Sequence, residues 1–90
     1  MTEEKRTVKL KNKLGMHARA AAAMVKIAQQ FEAKIHLEHN GQRVDGDSIL
    51  DILTLACPYG GELTIMARGQ DAPAAVEALV QLVEDKFGES

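Results

Sequence analysis

The sequence predicts an α+β fold, a two-layer open-faced sandwich with helices on one side of a mainly antiparallel sheet. Three observations carry that prediction. Four short segments alternate apolar and polar residues with period two, the pattern of half-buried strands. Segments with helical period separate them, giving the order βαββαβα. The middle two strands are joined by Asn40-Gly41, a strong hairpin signal because both residues accept positive φ. The polar alternate residues mark a second sheet face left open to water.

The first strand is predicted over Thr7–Lys11, with Val8 and Leu10 on one face and Lys9 and Lys11 on the other. Asn12-Lys13-Leu14-Gly15 breaks it. Met24, Ile27, Ala28 and Phe31 then recur as one face of a helix placed at about 18–30, and the alanine run 20–23 suits it. Ala33, Ile35 and Leu37 form the second strand, whose His36 is expected to point to solvent, with His39 at the hairpin tip. Gln42 to Val44 returns. Asp47 or Ser48 can cap a short, strongly apolar helix through Leu55, which Pro58-Tyr59-Gly60-Gly61 is expected to stop. Leu63, Ile65 and Ala67 alternate as the fourth strand. Asp71 is expected to cap the last helix, with Pro73 in its first turn, where a missing N–H costs nothing. Val76, Leu79, Val80, Val83 and Phe87 make its buried stripe, and Gly88 a natural stop.

Ninety residues make one small domain, 1–90, with 46% apolar and 27% charged residues, a globular balance. No apolar run reaches membrane-spanning length, so no membrane insertion is expected. The acidic start, Thr2-Glu3-Glu4, lacks an apolar signal region, and a single cysteine cannot form an internal disulfide. These features favour the cytoplasm. A net charge of -2 and three aromatic residues argue against a nucleic-acid partner. Charge is uneven, with +3 over residues 1–13 and -4 over residues 71–90. That asymmetry fits two solvated faces or a recognition surface.

Several chemistries are missing. There is no phosphate-binding Gly-Lys-Ser/Thr loop, no Cys-x-x-Cys, no His-Glu-x-x-His and no Gly-x-Ser-x-Gly. No metal and no cofactor is expected. Cys57 reads as a small buried apolar residue. His17 differs by its place at the start of the first helix. The backbone N–H groups of Ala18, Arg19 and Ala20 have no intrahelical partner, and the positive end of the helix dipole favours an anion there. The same dipole favours a neutral, nucleophilic imidazole. Arg19 adds a permanent cation able to pair with phosphate oxygens. Small Ala18, Ala20 and Ala21 would let a ligand approach closely. Position alone leaves two readings open, a helix cap and an acceptor of a phosphoryl group on a ring nitrogen. Ser48, with Asp51 three residues on, reads first as a cap and second as a regulatory phosphorylation site. Met16, Ile49, Leu50 and Leu53 are candidates for an exposed docking patch, with Ile52, Leu55 and Ala56 inward.

Leu14-Gly15-Met16-His17-Ala18-Arg19-Ala20-Ala21 closely resembles the active-site signature of HPr, the histidine-containing phosphocarrier of the bacterial phosphotransferase system, whose pattern is Gly-Leu/Met-His-Ala-Arg-Pro-Ala. Asp47-Ser48-Ile49-Leu50-Asp51-Ile52-Leu53 resembles the family's second signature. Gly60-Gly61-Glu62-Leu63-Thr64-Ile65 and Phe87-Gly88-Glu89 resemble its fourth strand and tail, so the likeness runs over about residues 5–89. The resemblance implies a sheet in the order 1-4-2-3 with three helices on one face. It implies that His17 accepts a phosphoryl group on Nδ1 from phosphorylated enzyme I, ultimately from phosphoenolpyruvate, and passes it to a histidine of an enzyme II A-type domain. Arg19 would stabilise the transferring group. Ser48 matches the serine modified by HPr kinase/phosphorylase in part of the family, and Met16, Ile49, Leu50 and Leu53 match the docking surface. The chain would be a phosphoryl carrier rather than a stand-alone enzyme, and a monomer. A stand-alone hydrolase would need a second base or a metal.

Two departures stand out. Ala20 replaces the usual proline, which relaxes the helix start but restores an N–H donor. Asp47 precedes Ser48, and its carboxylate would repel a phosphate there. Leu53-Thr54-Leu55-Ala56 resembles a nitrogen-related branch of the family, so sugar uptake and regulation both stay open.

Overall fold

The computed structural model describes residues 2–89. Its elements are β1 (Glu3–Lys9), α1 (Ala18–Ala28), β2 (Lys34–His39), β3 (Gln42–Asp45), α2 (Ile49–Thr54), β4 (Glu62–Arg68) and α3 (Ala72–Glu84), followed by a short 3-10 turn, Lys86–Gly88. The four strands form one antiparallel sheet in the order β1-β4-β2-β3, with the helices on one face. The expected architecture and strand order are both observed.

β1 runs earlier than its alternation indicates. Glu3 to Lys9 pairs residue by residue with β4, Glu3 opposite Arg68 and Lys9 opposite Glu62. As an edge strand it needs only one hydrogen-bonded neighbour, so its charged first half pairs through the backbone without an apolar pattern. Leu10 lies just past the strand, buried, with its N–H donating to the Gly61 carbonyl at 3.0 Å.

The core joins Ile35 and Leu37 of β2 and Leu63 and Ile65 of β4 to the inner faces of α1 and α3. α1 buries Ala20, Ala21, Met24, Val25 and Ala28, whereas Ile27 and Phe31 are half-buried at the margin. Ala20 and Ala21 therefore sit under the helix, and only Ala18 offers open surface beside His17, contrary to the expectation that all three admit a ligand. The small alanines let α1 lie close to the layer beneath. The hairpin turn is as expected, with Asn40 at φ 51° and Gly41 at φ 82°. α2 ends before Pro58: Leu55 is its C-cap and Ala56 takes φ 49°. That reversal turns Ala56 outward, not inward, while Ile52 and Leu55 are buried.

Asp71 begins α3 but does not cap it with its side chain. Its carboxylate instead accepts from the Glu32 N–H at 2.9 Å and the Ala33 N–H at 2.8 Å, tying the α1–β2 connection to α3. Asp71→Ala would leave the buried Ala33 donor unpaired, so it is expected to destabilise by about 1–3 kcal/mol. Asp71→Asn keeps one acceptor oxygen and should cost less. Equal losses in urea unfolding would count against the tether.

The opposite charges of the two ends meet across β1 and α3. Arg6 lies 3.6 Å from Glu77, and Lys11 bonds Glu84 at 2.5 Å. Much of the charge asymmetry is thus spent within the fold and contributes little as exposed pairs.

Candidate functional site

The site is built on the loop between β1 and α1. Asn12, 1% exposed, donates from Nδ2 to the Gly15 carbonyl at 2.7 Å, while the Gly15 N–H donates back to the Asn12 carbonyl at 3.1 Å. Gly15 takes φ 66° and turns the chain toward the α2–β4 loop. There the Met16 N–H donates to the Cys57 carbonyl at 2.8 Å. This bond draws Met16 inward to 5% exposure. Met16 is a core residue and not part of an exposed patch.

His17 is the N-cap of α1, in extended conformation, with its carbonyl accepting the first intrahelical bond from the Ala21 N–H at 2.9 Å. Its ring is held at both nitrogens. Nδ1 lies 3.3 Å from the Arg19 N–H, and Nε2 lies 2.5 Å from Glu89 Oε2. A backbone N–H can only donate and a carboxylate can only accept. The two contacts therefore select the tautomer with hydrogen on Nε2 and a lone pair on Nδ1. That lone pair faces the positive end of α1. Of the three amides expected to be open, the Arg19 N–H is occupied by the imidazole of the same turn. Of the two readings of His17, the structure shows the helix cap.

Glu89 arrives from the other end of the chain. After α3, Lys86 and Phe87 at φ 56° and Gly88 at φ 78° reverse the backbone and bring Glu89 against the β1–α1 loop. Asn12 Nδ2 lies 3.3 and 3.4 Å from its carboxylate oxygens. The hydrogen bond from His17 holds the Glu89 carboxyl below its usual 4.5. Partial burial opposes this, while the Asn12 hydrogen bond and the positive charge of Arg19 reinforce it. A depressed carboxyl stabilises the tail contact above its unfolded pKa and loses it as pH falls through the folded value. A carboxyl-carbon NMR titration is thus expected to give Glu89 a midpoint under 4.5 that rises toward it in Asn12→Ala. A midpoint at or above the unperturbed value would remove the tail from the site.

Sequence reasoning missed Asn12 and Glu89 as site residues. The signal for Glu89 was its place in the recognisable tail. Beside the site lies an open cleft of about 870 Å³, bordered by Lys11, Lys13, Arg19 and Lys86 and by the exposed side chains of Leu14 and Tyr59.

The remaining candidates separate into distinct places. Ser48 caps α2, its Oγ accepting from the Asp51 N–H at 3.2 Å. Ile49 and Leu50 are exposed, Leu50 at 76%, and Leu53 is half-buried against the core. Leu50→Glu is therefore expected to change stability by no more than about 0.5 kcal/mol. A large fall in melting temperature would place Leu50 in the core instead. His36 is partly exposed on the open sheet face, its Nε2 3.1 Å from Asp45 Oδ1. His39 is not at an exposed tip. It shares the inward side of β2 with Ile35 and Leu37, buried, with Nδ1 2.8 Å from the Glu62 carbonyl. Cys57 is buried, and desolvation pushes its thiol up to about 11, so it is a poor nucleophile near neutral pH. Among the described residues no three metal-ligating side chains cluster, and no helix is long and apolar enough to cross a membrane.

A family model described as "PTS HPr component phosphorylation site" matches residues 4–85. Phosphocarrier protein NPr of Shewanella violacea is 39% identical over 90 residues, covering 100% of this chain and 99% of that protein. Phosphocarrier protein HPr of Cupriavidus necator is 38% identical over 78 residues, 87% of this chain and 88% of the relative. The crystal structure of HPr-C-His from Thermoanaerobacter tengcongensis superposes with a TM-score of 0.92 at 39% identity, covering 97% of this chain and 98% of that one. A basic helix start carrying a histidine, set in this fold and matched over nearly its full length, makes the chain a member of the HPr family of phosphocarrier proteins of the phosphotransferase system.

Proposed function

We propose that His17 accepts a phosphoryl group on Nδ1 from phosphorylated enzyme I, charged by phosphoenolpyruvate, and passes it to a histidine of an enzyme II A-type domain. The observation that carries this reading is the pair of contacts at His17, which leave the lone pair on Nδ1 beside the first turn of α1. The Nδ1 lone pair attacks phosphorus, and the donor's N–P bond breaks as the new one forms. The hydrogen stays on Nε2 throughout, donated to the Glu89 carboxylate. The Arg19 N–H, relieved of the imidazole lone pair, is placed to bond a phosphoryl oxygen, with the Ala18 and Ala20 amides beside it. The Arg19 guanidinium, on the exposed side of α1, adds positive charge. Phosphoryl transfer asks for positioning and charge more than covalent machinery, so a carrier can be this small.

Ile49, Leu50 and Leu53 are the docking residues of this reading, and the exposed Leu14 and Tyr59 border the basic cleft beside His17. Exposed apolar residues together with a basic cleft suit transient, charge-steered partners. In this reading the chain acts as a monomer. A single, buried cysteine, Cys57, fits a cytoplasmic setting. Ser48 is a secondary substrate for HPr kinase/phosphorylase only at the expense of its cap, with Asp47 beside it. Intact mass measurement after incubation with enzyme I and phosphoenolpyruvate tests the central claim. One acid-labile phosphoryl group per chain is expected. No gain with an enzyme I from the same genome would sink it.

A further inference from the structure

The open face of the sheet carries a charge arrangement that the His17 site does not use. Rows across the strands are fixed by register. Arg68 of β4 lies directly opposite Lys34 of β2, and in the next row Lys5, Met66 and His36 line up across β1, β4 and β2. Lys34, His36, Met66 and Arg68 alternate with buried neighbours, and Lys5, directly opposite Met66, shares their outer face. They surround a concavity of about 450 Å³ that Arg43 also borders. A second concavity, of about 610 Å³, shares Lys34 and Arg68 at the sheet end.

Like charges directly opposite on neighbouring strands are unfavourable. Lysine on an edge strand is commonly explained as protection against edge pairing, but Arg68 lies on the central strand β4, paired with both β1 and β2, so that explanation fails for it. Nor are these cations neutralised within the fold. Arg43 is engaged with Glu38 at 3.6 Å and His36 with Asp45 at 3.1 Å. Lys5, Lys34 and Arg68 make no ion pair among the described residues, although Glu3 stands opposite Arg68 and Glu4 also borders the concavity. The helix layer and His17 lie on the other side of the sheet. Neighbouring strands are about 4.8 Å apart and successive same-face rows about 7 Å apart, so three cations here span a compact multivalent anion better than a single phosphate.

We propose that Lys5, Lys34 and Arg68, over a floor of Met66 and His36, form a second anion site that takes a compact oligophosphate, independent of phosphoryl transfer at His17. The shared chemistry is a chain of phosphates, free or as the tail of a nucleotide. Scarcity of aromatic side chains on this face gives no stacking partner for a base, so the phosphates carry recognition.

The test is an amide NMR titration of the full chain with tripolyphosphate, with ATP free of divalent metal, and with adenosine, at low salt. Tripolyphosphate is expected to give saturable shifts at Lys5, Lys34, His36, Met66 and Arg68. Equal affinity for ATP identifies the phosphate chain as the determinant, and tighter binding of ATP than of tripolyphosphate identifies a nucleotide source. Adenosine should give none. Lys34→Gln with Arg68→Gln is expected to weaken binding at least ten-fold, whereas His17→Ala leaves it unchanged. Both changes are at exposed positions, and the variant's own spectrum reports its fold. Lys5→Gln alone gives an independent reading through a smaller loss. Shifts centred on Ala18–Ala20, shifts that do not saturate, or affinity unchanged in the double variant would each overturn the site.

Discussion

His17→Ala is expected to abolish phosphoryl acceptance while leaving the chain folded. Wild type should gain one acid-labile phosphoryl group from enzyme I and phosphoenolpyruvate, and the variant none. The loss should be complete rather than partial, because no other imidazole can substitute. His39 is buried against the Glu62 carbonyl, and His36 lies on the opposite sheet face, engaged with Asp45. The structural cost is that of an N-cap, about 0.5–2 kcal/mol, since Nδ1 no longer accepts from the Arg19 N–H. For a domain of this size that amounts to several degrees in melting temperature, at about 4–8 °C per kcal/mol. The α1 face beneath remains packed through Ala20, Ala21, Met24 and Val25. Stoichiometric acid-labile phosphate on the variant would move the acceptor elsewhere. Global unfolding would leave the loss of acceptance without chemical meaning, and is not expected.

Local signals explain why so much of this arrangement could be read from the chain. Period-two alternation placed β2 and β4, Asn40-Gly41 placed the hairpin, and the break at Asn12–Gly15 placed the start of α1 beside His17. Each is a relation among residues a few positions apart. The parts that were missed depend on long-range contacts. Glu89 meets His17 across 72 positions, and Asp71 meets Ala33 across 38. No spacing rule connects such pairs, because a chain reversal and a helix–sheet packing bring them together. Met16 was misread for a related reason. Its side chain follows its backbone, and the backbone is drawn to Cys57, a residue far along the sequence. His39 is a different case. Its parity with Ile35 and Leu37 already indicated the inward side, and the adjacent turn signal at Asn40 hid it.

Gly15→Ala is expected to be the most damaging single-methyl change near the site. Two penalties combine. At φ 66° an L side chain costs about 1–2 kcal/mol relative to glycine. The added Cβ would also lie 2.7 Å from the Cys57 carbonyl oxygen and 2.9 Å from Pro58 Cα. Both are backbone atoms, so the neighbour cannot swing aside as a side chain would. Relieving the clash means separating the 12–17 loop from the 57–58 segment, against the 2.8 Å bond from the Met16 N–H to the Cys57 carbonyl. Overpacking of this kind adds about 1–3 kcal/mol. Gly60 supplies the control, because it has φ 78° and nothing within 4 Å of an added Cβ. Gly60→Ala should therefore show the backbone term alone. Urea unfolding of the two variants isolates the steric part as their difference. The same displacement carries His17 away from the Glu89 carboxylate, so Gly15→Ala should also slow phosphoryl acceptance in the fraction that remains folded. Gly60→Ala should not. Equal stability losses and unchanged transfer in both variants would mean that the loop tolerates the shift and that the contact with Cys57 does not position the histidine.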